Sequence, residues 1–370
     1  MELVNATRMV AGFNLGLEPS GRELLVVVVK GTFTLPREGQ RLDMYPEQLP
    51  LTTSDTFSGE PGLSAPVLEV DYAPRKHFCD VLLTGSAYAP DARPAIRLPV
   101  GLRIGDWQKT FTVVGDRVWR TGTTGVRASE PKPFVRMPIS YDFAFGGRDE
   151  RHPDPDKHAW FAANPAGRGF HRHLRGEWVD GSPLPNTEET GVPVTRPDGD
   201  YRPMALGPLG RSWPERIRYA GTYDQQWLDD HFPFLPPDFD ERYYQAAPAD
   251  QQLAFPVTGR RVVLANLTAD GRREFDLPAF DAPVTVFPKS GPREELKATA
   301  DTIVFEPDED RFTISWRVAR PLRKSLFEIG QVLIGRPGRE WWLEREHVGF
   351  PIRAVPEGVT QPDDCCGGGS

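Results

Sequence analysis

The sequence predicts a mainly β protein with antiparallel sheets in a sandwich-like arrangement, long ordered loops rich in aromatic residues, proline and glycine, and few short helices. Three observations predict this class. Apolar residues recur at every second position in segments near both ends of the chain. Proline accounts for 38 of the 370 residues, and a proline inside a helix removes a donor and disrupts it. Aromatic and aliphatic residues are spread over the whole chain, as in folded proteins.

The N-terminal strands are predicted from apolar patterning. In "RELLVVVVKGTFTLP" four valines follow one another, Val26 to Val29. β-Branched residues favour strands, and a continuous apolar run indicates a strand covered on both faces. The stretch "AIRLPVGLRIGDWQKTFTVVGDRVWR" alternates apolar and polar residues between two Gly-Asp turns, which predicts a three-stranded meander. We expect "DVLLTGSAYAP", from Asp80, to supply a neighbouring strand.

The C-terminal strands return from Arg260 in "RRVVLANLT" and "APVTVF". Further on, "TIVF" and "RFTISW" flank an acidic turn and predict a hairpin, and "IGQVLIG" predicts a final strand. We therefore divide the chain into an N-terminal β-rich portion (residues 1–130), a loop-rich portion (131–259), a C-terminal β-rich portion (260–355) and a flexible tail (356–370).

The loop-rich portion has little periodicity. One short helix is predicted in "GTYDQQWLDDHFPF", where Thr222 would cap the start, Gln225 would complete a capping box, and Pro233 would mark the end. Loops of this length are uncommon in compact domains unless they are functional. We therefore expect the function to reside in this portion.

Charge and targeting signals exclude several classes. The 44 basic and 52 acidic residues give a net charge of −8 and are interleaved, whereas nucleic-acid binders concentrate basic residues in one stripe. No apolar run is long enough to span a membrane, and the N-terminus has no apolar core of a secretory signal. Three cysteines, Cys79, Cys365 and Cys366, do not make a disulfide framework. We expect a cytoplasmic protein that does not bind nucleic acid.

Histidines and acids of the loop-rich portion are the candidates for an enzyme. His171 and His173 are two residues apart and would share one side of a strand. A zinc site needs three or four convergent ligands, but the spacing to the upstream histidines and acids matches no metal motif. Those upstream residues are Asp149, His152, Asp154, Asp156 and His158.

The acidic pair Asp238 and Asp240 could in principle serve as general acid and base, but acids beside prolines are also ordinary turn and capping residues. There is no G-x-S-x-G elbow and no phosphate-binding loop. We therefore predict no catalytic residue, no metal ligand and no cofactor. A hydrolase or metal-dependent enzyme that uses the His/Asp cluster is the alternative.

Aromatic residues beside glycine or proline in loops are typical of binding hot spots; the alternative is that they pin the loops from inside. The candidates for partner binding are Phe143, Phe145, Trp160, Tyr223 and Trp227. Glycine permits backbone conformations that a side chain forbids. The residues that we expect to shape these loops, the structural signature, are Gly146, Gly147, Asn164, Pro165, Gly167, Gly221, Asp238 and Asp240.

Several sequence blocks together resemble one bacterial family. They occur in the order "ELLVVVVKGTFTLP", "MPISYDFAFGG", "NPAGRGF", "RIRYAGTYDQQWL", "FPFLPPDFDERYYQAAPADQQL", "VVLANLT" and "FTISWR", over about residues 20–320. The family is a domain of formerly unknown function that is encoded in type VI secretion clusters beside spike, PAAR-tip and effector genes. Its members are regarded as adaptors or chaperones that load toxic effectors onto the spike.

The resemblance implies a non-enzymatic adaptor or chaperone. Its expected partners are a secreted effector toxin, a PAAR-tip protein and possibly the spike protein. A structural component of the secretion apparatus is a further alternative. The family carries no catalytic residues that could be transferred to this chain.

Overall fold

The mainly β class with antiparallel sheets is confirmed, and the largest sheet curls into a nearly closed barrel. The computed structural model describes residues 1–123, 125–339 and 341–343. The predicted tail, residues 356–370, lies outside the described residues. Among those residues, no helix has the length and hydropathy that crossing a lipid bilayer requires.

The described residues form 24 strands, β1 to β24. Strands β1 to β12 are Glu2–Asn5, Val10–Leu17, Glu23–Thr34, Thr56–Phe57, Pro66–Leu68, Cys79–Leu83, Gly85–Tyr88, Arg97–Ile104, Trp107–Val114, Trp119–Gly122, Gly125–Ala128 and Arg136–Ile139. Strands β13 to β24 are Phe145–Gly146, Arg148–Asp149, Ala159–Trp160, Arg168–Gly169, Thr187–Glu188, Gln252–Leu253, Arg261–Ala265, Arg272–Asp276, Ala282–Pro288, Glu294–Glu306, Arg311–Pro321 and Ile329–Ile334.

The helices are short. The α-helices α1 to α3 are Gly176–Val179, Pro214–Ile217 and Gln225–Asp230. Single turns of 3₁₀-helix are Pro90–Ala92, Tyr141–Phe143, Pro155–Lys157, Glu241–Tyr244, Ala249–Gln251, Pro307–Glu309 and Leu326–Glu328.

The barrel-like sheet has the strand order β1-β24-β21-β22-β23-β3-β2, and β6 pairs with the second half of β22. Strand β3 contains the valine run and is buried on both faces. Its residues Leu25, Val27 and Val29 face the main core, and the alternate residues face a second apolar cluster. The prediction of a strand covered on both sides is confirmed. The predicted acidic hairpin is also confirmed, as β22 and β23.

A second sheet has the order β17-β9-β8-β19-β20. Its hairpin β8–β9 confirms the first two strands of the predicted meander. The prediction of a third strand in this sheet is wrong. Strand β10 leaves the sheet and pairs with β11, and β17 lies beside β9. The position beside β9 is taken by residues 186–188, and the Val114 amide donates to the Asn186 carbonyl at 2.7 Å. Strand β6, predicted beside this meander, instead pairs with β22 and β18.

The two sheets share one core. Phe275 from β20 packs against Phe312 from β23, with ring centroids 5.3 Å apart, and both belong to the main apolar cluster. Strands from the predicted N-terminal and C-terminal β-rich portions pair with each other in both sheets, as β3 with β23 and β8 with β19. The loop-rich portion packs around this unit as short strands and turns with smaller cores of its own.

A buried carboxylate joins the loop-rich portion to the barrel. Asp80 in β6 has no solvent exposure. It accepts hydrogen bonds from Lys76 Nζ at 2.7 Å, Gln245 Nε2 at 2.7 Å and the Ala246 amide at 2.8 Å. A buried charge is tolerated only when it is paired and hydrogen-bonded. These contacts therefore fix residues 245–246 against the edge of β6.

The glycines of the "YDFAFGG" block allow two backbones to touch. Gly146 and Gly147 have φ of +150° and +107°, and β13 pairs in parallel with β16. A Cβ atom on Gly146 would lie 2.1 Å from the carbonyl oxygen of Asn164. The Asn164 side chain donates to the carbonyl oxygens of Tyr141 and Phe145, at 2.8 and 3.1 Å. The "NPAGRGF" block, with Pro165 in its turn, is thereby held against "YDFAFGG".

We predict that Gly146→Ala lowers the free energy of unfolding by about 2–3 kcal/mol, because the added methyl group collides with backbone rather than with a movable side chain. Gly122→Ala is the control: nothing lies within 4 Å of its Cβ position, so a change within about 0.5 kcal/mol is expected. Urea unfolding compares the two variants. Equal stabilities would contradict a close backbone contact at Gly146.

We also predict that Asp80→Asn costs about 3–5 kcal/mol, because it leaves the Lys76 ammonium buried without its charge partner. Asp198→Asn removes one partner of the solvent-exposed Arg196–Asp198 pair and should cost less than about 1 kcal/mol. Chemical denaturation measures both, and an Asp80→Asn variant as stable as the control would contradict the anchoring role.

Candidate functional site

Two of the five predicted partner-binding aromatics lie inside the loop-rich portion. Phe145 is only 1% exposed and packs edge-on against Phe161 and Tyr201, with centroid distances of 5.0 and 4.9 Å. Phe143 is half-buried, and the Arg168 guanidinium lies 4.1 Å from its ring centroid. In this arrangement both side chains pack against other residues of the loops. Internal packing is the alternative to partner binding for these two aromatics.

The other three candidates reach the surface, and two of them touch. Trp160 is 62% exposed in β15. Tyr223 is 55% exposed and lies edge-on to the half-buried Trp227, at 4.8 Å. Trp227 in turn lies edge-on to Phe232 at 5.7 Å. We call residues 221–239, which carry this cluster, the aromatic loop.

The aromatic loop exposes more apolar surface than the sequence analysis predicted. Leu228 is 52% and Phe232 63% exposed, and Phe234 is also exposed. These three residues were missed. The available signal was the "FPFLPP" run, where prolines fix the backbone beside aromatic residues.

Helix α3 forms the outer part of the loop. The helix is confirmed, but its predicted cap is wrong: Asp224, not Thr222, accepts the Trp227 amide, at 2.8 Å. Helix α3 begins at Gln225, directly after Asp224, and Thr222 instead donates two hydrogen bonds to Asp238. Its carboxylate accepts the Thr222 amide at 2.9 Å and the hydroxyl at 2.8 Å.

Hydrogen bonds close the base of the loop. Those from Thr222 hold the pKa of Asp238 below its ordinary value. The Asp240 amide donates to the Tyr219 carbonyl at 3.0 Å, and the Arg242 side chain lowers the pKa of Asp240. Gly221, with φ of +81°, packs against Pro236. The two acids considered as a general acid/base pair are thus engaged in turns at the base of the loop.

The loop is also fixed to the barrel. Trp227 Nε1 donates to the Phe234 carbonyl at 2.9 Å. The Phe234 ring covers Gly21, where a Cβ atom would lie only 3.0 Å from the ring. Gly21 belongs to the turn between β2 and β3, so the aromatic cluster lies beside the end of that hairpin.

Acidic residues outnumber basic ones in the aromatic loop. Residues 219–241 contain no Lys or Arg. At the base of the loop Asp240 pairs with Arg242. Within the described part of the chain, the three acids of the helix and its cap, Asp224, Asp229 and Asp230, form no ion pair. The loop therefore carries exposed aromatic rings together with acids that form no ion pair.

The histidine and acid cluster has a different arrangement. His171, Ser182 and Asp149 are all buried. His171 Nε2 lies 2.8 Å from Ser182 Oγ, but that hydroxyl donates its proton to the Val179 carbonyl at 2.5 Å. His171 must then donate to Ser182, which is the reverse of a base that activates a serine nucleophile.

The remaining histidines also make local contacts. The rings of His152 and His173 lie 5.1 Å apart, and the Asp149 carboxylate accepts the amides of Arg172 and His173 at 2.9 and 2.8 Å. Over residues 1–123, 125–339 and 341–343, no three His, Cys, Asp or Glu side chains converge as metal ligands.

Burial holds the pKa of His171 below its ordinary value of 6.5, although Asp149 opposes this effect. As the pH falls from about 7.5 through the ordinary value of 6.5, the unfolded chain therefore binds a proton at this residue more readily than the folded chain, so the folded protein loses stability. We predict that His171→Gln reduces this loss. Melting temperatures across the range measure it, and an unchanged slope would contradict the assignment.

Comparison with known proteins identifies the family. The model of the family described as "uncharacterized protein conserved in bacteria" (DUF2169) matches residues 20–317, in agreement with the range of about 20–320 expected above. The match runs from the turn before β3 into β23 and includes the aromatic loop. No curated protein and no solved structure matches the chain. The chain belongs to this conserved bacterial family.

Proposed function

We propose that the chain is a non-enzymatic adaptor or chaperone of bacterial type VI secretion. It binds a secreted effector toxin or a PAAR-tip protein in the cytoplasm and helps to load it onto the spike. The binding role rests on one observation, the exposed aromatic cluster of the aromatic loop. The secretion context rests on the resemblance of the sequence blocks to the adaptor family.

Exposed apolar side chains on a rigid loop favour association. Covering apolar surface releases about 25 cal/mol per Å², and clustered exposed apolar residues mark interaction sites. Tyr223, Leu228 and Phe232 are each more than half exposed. Because the hydrogen bonds that Thr222 donates to Asp238 hold the base of the loop, little conformational entropy is lost when these side chains are covered.

The acids of the aromatic loop indicate the chemistry of the partner. Asp224, Asp229 and Asp230 lie at the cap and on helix α3, and residues 219–241 contain no Lys or Arg. An apolar segment flanked by Lys or Arg fits such a surface, since complementary charge speeds encounter and selects the partner. Binding by this surface weakens as salt concentration rises.

We predict that Tyr223→Ala and Leu228→Ala each weaken binding of the effector or PAAR-tip protein encoded beside this chain about ten-fold or more, since an anchor contributes about 2 kcal/mol. Both variants should melt like the wild type. The matched control is Val192→Ala, an exposed apolar residue outside the loop, which should bind normally. Co-expression followed by quantitative co-purification and calorimetry measures these effects.

One further variant separates contact from stability. Phe145→Ala should destabilise the fold by about 3–5 kcal/mol, because it empties a buried site. If Tyr223→Ala and Leu228→Ala bind as tightly as the wild type, the aromatic loop is not the contact surface.

The two alternatives make their own predictions. One equivalent of bound zinc would favour the enzyme. So would a turnover activity that is lost on alanine changes at His171, His173, Asp238 and Asp240 in folded protein. Retention of the chain in assembled tubes or spikes would favour the structural component.

A further inference from the structure

The barrel-like sheet is incomplete beside β2. Its two terminal strands, β1 and β2, follow one another in the chain. They meet at one end, where Asn5 Nδ2 donates to the Met9 carbonyl at 2.7 Å. Strand β1 has four residues and β2 has eight. From that meeting point onwards, among the residues that the structure describes, β2 pairs with β3 on one side only.

The free side of β2 carries unpaired backbone groups. In an antiparallel pair, alternate residues direct their N–H and C=O groups away from the partner strand. The Glu18 amide bonds to the Arg22 carbonyl at 2.9 Å, which places the even-numbered residues on the β3 side. Within the described chain, only Leu15 has a partner on the free side, since its amide bonds to Asn14 Oδ1 at 2.8 Å. The outward residues are Ala11, Phe13, Leu15 and Leu17.

The side chains of β2 reveal an opening in the barrel wall. Ala11 and Phe13 pack against the main core, and Leu15 lies on the same face by the two-residue period. Leu15 is nevertheless 43% exposed. The opposite face is covered, because the Cβ position of Gly12 abuts Tyr72. The exposure of Leu15 therefore comes from a missing neighbour within the sheet.

The edges of the second sheet are protected in ways that β2 is not. Proteins guard exposed strand edges with charged side chains or with very short strands. Edge strand β20 has the sequence RREFD, and the opposite edge strand β17 has two residues. Strand β2, VAGFNLGL, has no charged residue and no proline. It is therefore suited to accept another strand.

We propose that β2 accepts an extended segment of the partner protein, which pairs with its free edge and fills the opening towards β1. The segment directs apolar side chains to the core at every second position, next to Phe13 and Leu15. Strand addition of this kind takes affinity from the main chain and specificity from alternate side chains. The inference rests on the proposed function only for the identity of the partner.

The position of the aromatic loop supports this occupant. Phe234 covers Gly21 in the turn that follows β2. A segment that leaves the edge near Leu17 therefore meets the aromatic loop next. One partner chain can occupy both surfaces, with a strand on β2 and an apolar, basic segment on the loop.

The test uses the full chain and a phage-displayed library of random peptides of about ten residues, the length of a strand. Peptides with apolar residues at alternate positions should be enriched on the wild type. For a synthetic copy of the best peptide, Leu15→Pro should weaken binding at least ten-fold. Proline removes the outward amide, which an added strand would have to take over from Asn14 Oδ1, and its ring blocks the edge without breaking the ladder to β3. Leu15→Ala, the matched control, should weaken binding much less.

A second variant and a second measurement keep the test decisive. Leu15→Lys keeps the backbone amide but places a charge in the opening. It should weaken peptide binding as strongly as Leu15→Pro does. If the proline variant does not fold, the lysine variant still tests the proposal. Hydrogen exchange of the outward amides of Ala11, Phe13 and Leu17 should slow at least ten-fold when the peptide binds. Peptides that bind Leu15→Pro as tightly as the wild type, or that protect only residues 221–239, would overturn the proposal.

Two other occupants would also overturn it. One is a second copy, recognised if the wild type is a dimer by light scattering and Leu15→Lys is a monomer. The other is the chain's own residues 344–370, recognised if their removal speeds exchange in β2. If the effector does not co-purify with the chain although the chain still binds the peptide, only the proposed function is refuted. Peptide binding that is insensitive to Leu15 would refute only the strand proposal.

Discussion

The arrangement of the molecule depends on the neutralisation of a buried charge at Asp80. An isolated carboxylate in an apolar interior is too costly to persist, so β6 can be buried only if other segments supply partners. Lys76 precedes it in the chain, and Gln245 and Ala246 come from the far end of the loop-rich portion. Gln245 Oε1 also accepts the amide of His77. One carboxylate thus sets the position of the segment that follows the aromatic loop.

The loop-rich portion obtains its rigidity from backbone contacts rather than from long helices or strands. At Gly146 the chain touches the carbonyl of Asn164, a distance that no side chain would allow. The asparagine amide then satisfies two carbonyl groups in the same turn. Aromatic residues such as Phe145 fill the space behind this contact. A portion with little regular secondary structure can therefore hold the aromatic loop in a fixed orientation.

The aromatic loop and the edge of β2 expose what a folded chain ordinarily covers. The aromatic loop exposes aromatic rings, and the edge of β2 exposes backbone hydrogen-bond donors and acceptors together with Leu15. Phe234 connects them through its contact with Gly21. Covering the apolar groups of both surfaces would release free energy on association. A partner that covers both is what the proposed adaptor function requires.

The sequence by itself determined the elements whose signals are local. The valine run of β3, the hairpins β8–β9 and β22–β23, and helix α3 follow from periodicity and turn residues over a few positions. Only the tertiary structure decided the rest. Strand β17, which is distant in sequence, occupies the position beside β9 that the third strand of the meander would have filled, and Asp224 rather than Thr222 caps helix α3. Phe145 and Tyr223 have similar local sequence settings, yet one is buried and the other exposed. The physical reason is that pairing, burial and free edges depend on residues far away in the chain, which a local pattern does not contain.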